Sequence, residues 1–465
     1  LLLTISVADV PQAISYRLVL IARQLLLVLA GTGVAGTGGG STGVAGTGEL
    51  ATPASVPGEL EFQNNGLVTL SGNTMGPIEF HVTVTSNEYH SLNSPDFRGT
   101  VRNELESVNR SMSTYIDSSD VSRFNRQQTT DWFAVDATTC EVVTRAQRIS
   151  ALTNGAFDIT VGPLVSLWNF GAGQTSTREF QIPSDQQIER ARQTTGYEKL
   201  QVRLDPPALK KETPQLQIDL SAIAKGYAVD RVADALQQIG FSNLLVEIGG
   251  EVRAVGQRPD NSPWKIGVRE PTPLITTVRR RVELADQAMA TSGDYENFHQ
   301  VGNQTFSHTI DPASGRPVQH PLTSISIIAD DCLTADAIAT AVLVMGPERG
   351  RAFCDDQGFE YLMILRTEPG RLTDIASANF PWMKLQRPQM GWGSSFLATV
   401  LVFLLVVTAM AVGVIFGRRR ISGSCGGIAS LQAGAVKPEC SLCSRPSQQC
   451  SELKKALEKR RQTTA

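Results

Sequence analysis

Three short stretches hold residues whose types and spacing could do chemistry together. In DDCLTADAIATAVLVMG (330–346), Asp336 and Thr340 stand four positions apart. On a helix such positions share a face, so a carboxylate and a hydroxyl converge on one ion. Hard oxygens without His or Cys suit Mg2+, although a pair of this kind also arises by chance. In QIDLSAIAKGYAVDRVADALQQIG (217–240), a short strand is expected to end at Asp219 and Ser221 to cap a helix that stops at Gly240. Lys225 then falls near the first turn, where free N–H groups and a lysine suit a phosphate. An ordinary amphipathic helix with a surface lysine explains that stretch at least as well. In FSHTIDPASGRPV (306–318), His308 and Asp311 flank a strand end before the tight turn DPASG. A histidine beside a metal–phosphate site could orient or deprotonate a hydroxyl; more often it is structural.

A fourth group stands apart. Cys425, Cys440, Cys443 and Cys450 are four of the seven cysteines and lie close to the C-terminus. Thiols on a cytoplasmic side stay reduced, so metal or redox chemistry is favoured over disulfides. Thiolates suit iron or zinc, with incidental cysteines as the bland alternative. Cys140, Cys332 and Cys354 are scattered and form no disulfide framework.

These groups need elements to hold them. The folded body is expected over 59–387. IEFHVTV (78–84), LQVRL (200–204), LLVEI (244–248) and SISIIA (324–329) read as strands. RNELESVNRSM and AIAKGYAVDRVADALQQIG have helical spacing. Their order gives an α+β class and not a strict βαβ alternation. There is no GxGxxG, P-loop or HExxH.

In front of the body, 1–58 reads as a signal-like or anchor-like segment followed by a Gly-rich linker. RLVLIARQLLLVLA (17–30) carries the apolar run, and TGVAGTG occurs twice behind it. Thr32 stands where a lipidated cysteine would be, so no lipid anchor is expected. Behind the body, the 21 residues 396–416 carry no charge. A helix of that length spans roughly 30 Å, a bilayer core, so 394–417 is read as a transmembrane helix. Trp382 and Trp392 would mark one interface and Arg418–Arg420 the cytoplasmic side. That places the body outside, in a bacterial periplasm, and the Cys-rich tail 418–465 inside. The net charge is −3, yet 418–465 holds ten Lys or Arg against three Asp or Glu. The body is therefore acidic, which argues against nucleic acid, and the basic tail suits an anionic membrane surface.

Eight blocks in one order resemble the ApbE family of FAD:protein FMN transferases: SGNTMG (71–76), SMSTYIDSSDVSRFN (111–125), TNGAFDITVGPLVSLWNFG (153–171), IDLSAIAKGYAVD (218–230), VEIGGEVRAVG (246–256), TSGDYENF (291–298), HTIDPASGRP (308–317) and ADAIATAV (335–342). The resemblance implies an α+β flavin transferase domain. It also implies Mg2+-dependent splitting of FAD, with FMN passing to a threonine hydroxyl of a target protein and AMP leaving. It assigns Asp336, Thr340 and the Ala222 backbone oxygen to Mg2+. It assigns Met75, Tyr115, Ala156, Phe157, Asp158, Asp219 and Lys225 to FAD, and His308 and Asp311 to the reacting diphosphate. Pro77 stands where the family usually has Thr, and Asp120 where Glu is commoner.

The apolar helix, SGSCGG and the later cysteines resemble NqrM, a maturation factor of the Na+-translocating NADH:quinone reductase. This second resemblance covers 390–460 and implies iron at the four tail cysteines. It also implies, as partners, the flavin-acceptor and Fe–S subunits of that reductase and related Rnf-type subunits. The expectation is a fusion of two assembly factors in a bacterial inner membrane. Two competing readings are an Mg2+-dependent FAD pyrophosphatase, with water as acceptor, and a flavin-binding scaffold without turnover.

Overall fold

The computed structural model describes residues 58–383, apart from 93–95, 171–179, 273–276, 296, 302–303 and 369–370, together with 399–405 and 407–408. Two units partition the chain, Leu1–Met383 and Lys384–Ala465. In the second unit, the described residues of the expected span 396–416 are helical. Val400–Leu405 and Val407 are exposed there, and the Thr408 hydroxyl donates to the Leu404 carbonyl at 2.6 Å. Among the described residues no helix is long and apolar enough to cross a membrane. The rest of that span, the N-terminal segment with its linker, and the four tail cysteines lie outside the described residues.

The first unit opens with the meander β1 (Glu59–Gln63), β2 (Leu67–Thr74) and β3 (Ile78–Thr85). Then come α1 (Ser86–Ser91), α2 (Phe97–Met112), α3 (Asp120–Arg126), β4 (Phe133–Ala134), α4 (Ala137–Leu152), α5 (Gly162–Leu167) and α6 (Asp185–Gln193). Next are β5 (Leu200–Leu204), β6 (Pro207–Lys211), α7 (Ala224–Gln238), β7 (Leu244–Ile248), β8 (Glu251–Val255), β9 (Trp264–Arg269), β10 (Val278–Leu284) and β11 (Gln287–Gly293). The hairpins β12 (Phe298–Val301)–β13 (Gln304–Ser307) and β14 (Ile310–Asp311)–β15 (Arg316–Pro317) follow. Last come β16 (Leu322–Ala329), α8 (Cys332–Gln357), β17 (Glu360–Glu368) and β18 (Arg371–Ala376).

Nine strands form the main sheet, in the order β1-β2-β3-β7-β8-β11-β16-β17-β18. Each neighbouring pair is antiparallel, in keeping with an α+β chain. Side chains alternate between its faces, as a period of two requires. On β17, Tyr361 and Met363 join the core under the helices, and Leu362 and Ile364 join a second core on the other face. That second core is closed by the β9–β10 hairpin through Trp264, Ile266, Val268, Val282 and Leu284. The sheet is thus covered by helices on one side and by a hairpin on the other.

Local signals explain the helix ends that matter. Ser119 caps α3, accepting from the Ser122 N–H at 3.0 Å. Asp331 caps α8, accepting from the Thr334 N–H at 2.8 Å. The α8 helix kinks at Gly346, ahead of Pro347. Trp382 bridges Val282 of β10 and packs on the Phe380 ring, 4.9 Å between centroids.

Candidate functional site

A cleft of about 990 Å3 opens at the junction of the helices, the main sheet and β9. Tyr115, Ala156, Phe157, Asp158, Asp219, Ala222, Lys225, His308, Asp336 and Thr340 all line it. Of the site residues expected on the body, Met75 and Asp311 are not among its lining residues.

The innermost corner forms where α7 crosses α8. Gly226 permits the crossing, because a Cβ there would meet the Cys332 carbonyl oxygen at 2.3 Å and the Asp336 Cβ at 2.9 Å. The Gly226 N–H donates to Asp336 Oδ2 at 3.0 Å. The helix N-terminus therefore spends this donor on a carboxylate of the neighbouring helix, not on a phosphate. Ser221 is not the cap: α7 begins at Ala224 after Ile223, with no side-chain cap. Instead the Ser221 hydroxyl and N–H donate to Asp219 Oδ1 at 2.5 and 2.9 Å.

Nor does a strand end at Asp219. The Asn125 side chain takes the ladder's place, donating to the Ile218 carbonyl and accepting from its N–H, both at 2.8 Å. The Asp219 N–H donates to the Ile159 carbonyl at 2.7 Å. Below this segment the fully buried Lys211 donates to the carbonyls of Phe124 at 3.1 Å and Leu216 at 3.2 Å. Burial lowers its pKa to about 8.

Lys225 reaches into the corner. Its Nζ contacts Glu251 Oε1 and lies 3.7 Å from Asp336 Oδ1. Both carboxylates are almost fully buried, at 2% exposure each. Burial opposes the Lys225 charge, but Asp336 and Glu251 outweigh it and hold the ammonium protonated. Glu251 is pushed up to about 8, since burial and the Asp336 charge exceed the pull of Lys225. Its second oxygen, Oε2, is buried without a hydrogen-bond partner.

Glu251 was not anticipated from sequence. It opens β8 directly after Gly249 and Gly250, whose φ values of +61° and +101° make the two-residue turn from β7. The GG dipeptide between two apolar runs was the available signal. Thr340 follows Asp336 by one helical turn, and its hydroxyl lies 3.2 Å from the Ser292 hydroxyl on β11.

The donors of this corner are of the kind that suits a divalent cation. Two carboxylates share one ammonium, one carboxylate oxygen is orphaned, and the donors are hard oxygens. Mg2+ sites commonly use one or two carboxylates and complete the shell with substrate phosphates.

His308 follows β13. Its Nδ1 lies 3.1 Å from the Asn297 carbonyl. A carbonyl only accepts, so Nδ1 is the donor of this bond. Asp311, in contrast, holds the DPASG turn: its two oxygens accept from the N–H groups of Ala313 at 3.0 Å and Ser314 at 3.2 Å. Its geometry is that of a residue shaping the loop beside His308.

The FAD-assigned residues divide similarly. Asp158 is buried and accepts from the Thr160 N–H and hydroxyl, both at 2.7 Å, and from the Tyr197 N–H at 3.0 Å. It therefore orders the wall that carries Ala156 and Phe157, and burial raises its pKa. Tyr115 is 75% exposed at the cleft rim. Met75 sits at the tip of the β2–β3 hairpin with φ +50°. Asp120 starts α3 and accepts from the Asp136 N–H at 2.6 Å.

The comparisons with known proteins follow the same division of the chain. The family model described as the ApbE family matches residues 77–363. The model described as (Na+)-NQR maturation NqrM matches 414–463. The chain is 43% identical over 276 residues to an FAD:protein FMN transferase of Vibrio cholerae, covering 59% of this chain and 81% of that protein. It is 36% identical over 319 residues to an FAD:protein FMN transferase of Haemophilus influenzae, covering 67% and 90%. The solved structure of the flavin transferase ApbE from Vibrio cholerae superposes with a TM-score of 0.60 at 39% identity, covering 70% of this chain and 100% of that one.

Proposed function

The chain belongs to the ApbE family and is a flavin transferase, and from that premise we propose that it moves FMN from FAD to a threonine hydroxyl of a target protein with Mg2+ as cofactor. The observation that carries this reading is the buried corner of Lys225, Glu251, Asp336 and Thr340 in the cleft that also holds His308. A diphosphate brings negative charge, and phosphoryl transfer needs positioning and charge neutralisation above all. Mg2+, held by Asp336, Thr340 and the Ala222 carbonyl, would supply part of that neutralisation.

The chain's own residues do the rest. Lys225, fixed between two carboxylates, meets the diphosphate charge. Met75, Tyr115, Ala156, Phe157, Asp158 and Asp219 bind or frame FAD. The threonine oxygen forms a new bond to the FMN phosphorus. The bond from that phosphorus to the bridging oxygen breaks, and AMP departs with that oxygen. The hydroxyl proton passes to the His308 imidazole, which the Asn297 carbonyl orients through Nδ1. Asp311 positions the loop that carries His308.

Incubating the full chain with FAD, Mg2+ and a flavin-acceptor subunit of the Na+-translocating NADH:quinone reductase tests the proposal. Intact mass should show one added FMN residue, lost when the acceptor threonine is replaced by alanine. Free FMN and AMP beside unmodified protein would instead identify an FAD pyrophosphatase.

The C-terminal match to (Na+)-NQR maturation NqrM supports a second role. We propose that residues 394–417 anchor the chain in a bacterial inner membrane, with the transferase periplasmic and the tail cytoplasmic. Cys425, Cys440, Cys443 and Cys450 would then handle iron for the Fe–S subunits of the same reductase. Replacing Cys440 and Cys443 by serine in the full chain should impair iron-site assembly and spare flavin attachment. Equal loss of both would refute separate roles.

A further inference from the structure

Strand β9 has a second edge, and it faces the cleft. In an antiparallel ladder, successive residues turn their N–H and C=O alternately to one side and the other. On β10, the Glu283 N–H donates to the Pro381 carbonyl and the Arg281 carbonyl accepts from the Met383 N–H, both at 3.0 Å. Those two residues point away from β9. Arg280, Val282 and Leu284 therefore point towards it, opposite Val268, Ile266 and Trp264. The Glu270 N–H, which donates to the Thr277 carbonyl at 2.9 Å, keeps the same parity. Lys265 and Gly267 are left with N–H and C=O directed away from β10. Among the described strands, none but β10 pairs with β9.

The cleft lies on that open side. Each of the residues 265–269 lines it, although their side chains alternate between buried and exposed. What five such neighbours share is the backbone edge. On the exposed face, Lys265 and Arg269 stand four positions apart, roughly 13 Å along a strand. The Arg269 guanidinium lies over the Tyr295 ring at 5.5 Å. Both cations flank the open edge at the rim, apart from the buried corner.

We propose that this edge docks the acceptor protein by strand addition. An extended, acidic segment pairs with the backbone of Lys265 and Gly267, sets a carboxylate against Lys265 or Arg269, and delivers its hydroxyl into the cleft. This rests on the transfer reading of the site. Backbone pairing supplies affinity with little demand on sequence, and the charges supply direction. Lysine at an open edge also discourages edge-to-edge pairing of copies of the chain.

The test uses the full chain, FAD, Mg2+ and the reductase's flavin-acceptor subunit at varied concentration. Lys265→Pro removes a donor on the open edge while the ladder to β10 stays intact. The acceptor KM should rise by about tenfold, as loss of an intermolecular hydrogen bond and a charge predicts. The Kd for FAD reports that the site is folded. Lys265→Ala keeps the N–H and should raise the acceptor KM only about threefold, an effect that salt erases. An unchanged acceptor KM in Lys265→Pro overturns the proposal. So does conversion of a wild-type dimer into a monomer by that substitution, which would make a second copy the occupant. If Lys265→Pro loses FAD binding, the Lys265→Glu, Arg269→Glu double variant decides: an acceptor KM equal to wild type refutes docking here. A wild-type chain that never modifies the subunit refutes the transfer reading itself, a separate outcome.

Discussion

Replacing Asp336 by asparagine is expected to lower FMN transfer by about 10^3-fold, the scale at which removing one charge-stabilising group acts in a closed site. The substitution isolates charge from shape. Asparagine keeps an oxygen that can accept the Gly226 N–H, now donated to Asp336 Oδ2 at 3.0 Å. The α7–α8 crossing should therefore persist, and thermal stability should stay close to wild type. What disappears is the negative charge that faces Lys225 from 3.7 Å and forms the anionic part of the expected metal set with Thr340. The measurement is kcat/KM for FAD over a Mg2+ titration, with the melting temperature as control. Loss of rate with retained stability, and a Mg2+ requirement moved to higher concentration, is the expected pattern. Wild-type rates at low Mg2+ would remove Asp336 from the metal site. A rate loss that tracks a fall in melting temperature would reduce its role to holding two helices together.

The parts of this fold that were readable in advance are those set by short-range pattern. The alternating run at 78–84 and the apolar run at 324–329 lie within β3 and β16. The amphipathic spacing at 102–112 lies within α2. The misreadings have causes that residue type and spacing do not show. Residues 217–219 look like a strand end, but their ladder partner is the side chain of Asn125, 93 positions away from Ile218. Ser221 has the right residue type for a cap, yet its hydroxyl is taken by Asp219 two positions back. Asp311, assigned beside the diphosphate through the family resemblance, accepts from the amides of its own turn, which its residue type alone does not show. Glu251 carries no periodic signal. It matters because a Gly-Gly turn sets it against a lysine from another element, and only tertiary structure pairs a strand start with a helix start. Likewise, no local pattern tells which edge of β9 stays open. That follows from the bonds that β10 makes on its far side.

Glu251→Gln should produce the second large change, and pH separates its causes. The Glu251 carboxyl is pushed from an ordinary value of 4.5 up to about 8, chiefly by burial, with Lys225 pulling it down and Asp336 pushing it further up. Across that window the folded chain keeps a proton that the unfolded chain has released. Stability therefore falls as pH rises, by the linkage between proton uptake and folding. The contribution is complete below the unfolded value and is lost as pH passes through the folded one. For a buried carboxyl in a coupled cluster this is worth a few kcal/mol at most, on the order of the shift itself. Glutamine fills the same space and can accept from Lys225, but does not titrate. In metal-free full-length protein, the difference in stability between wild type and Glu251→Gln should therefore narrow or reverse between about pH 5 and 8. Asp230, raised to about 6 by burial, titrates in both proteins and drops out of that difference. Lys211, lowered to about 8, also drops out, and its linkage acts at higher pH with the opposite sign. Transfer should fall by about tenfold to 10^2-fold, because an amide holds Lys225 less firmly than the carboxyl and positions it less well toward the diphosphate. A stability difference flat in pH would mean that Glu251 is ionised throughout as an ordinary ion pair. Unchanged transfer would show that Asp336 alone suffices to hold Lys225 in place.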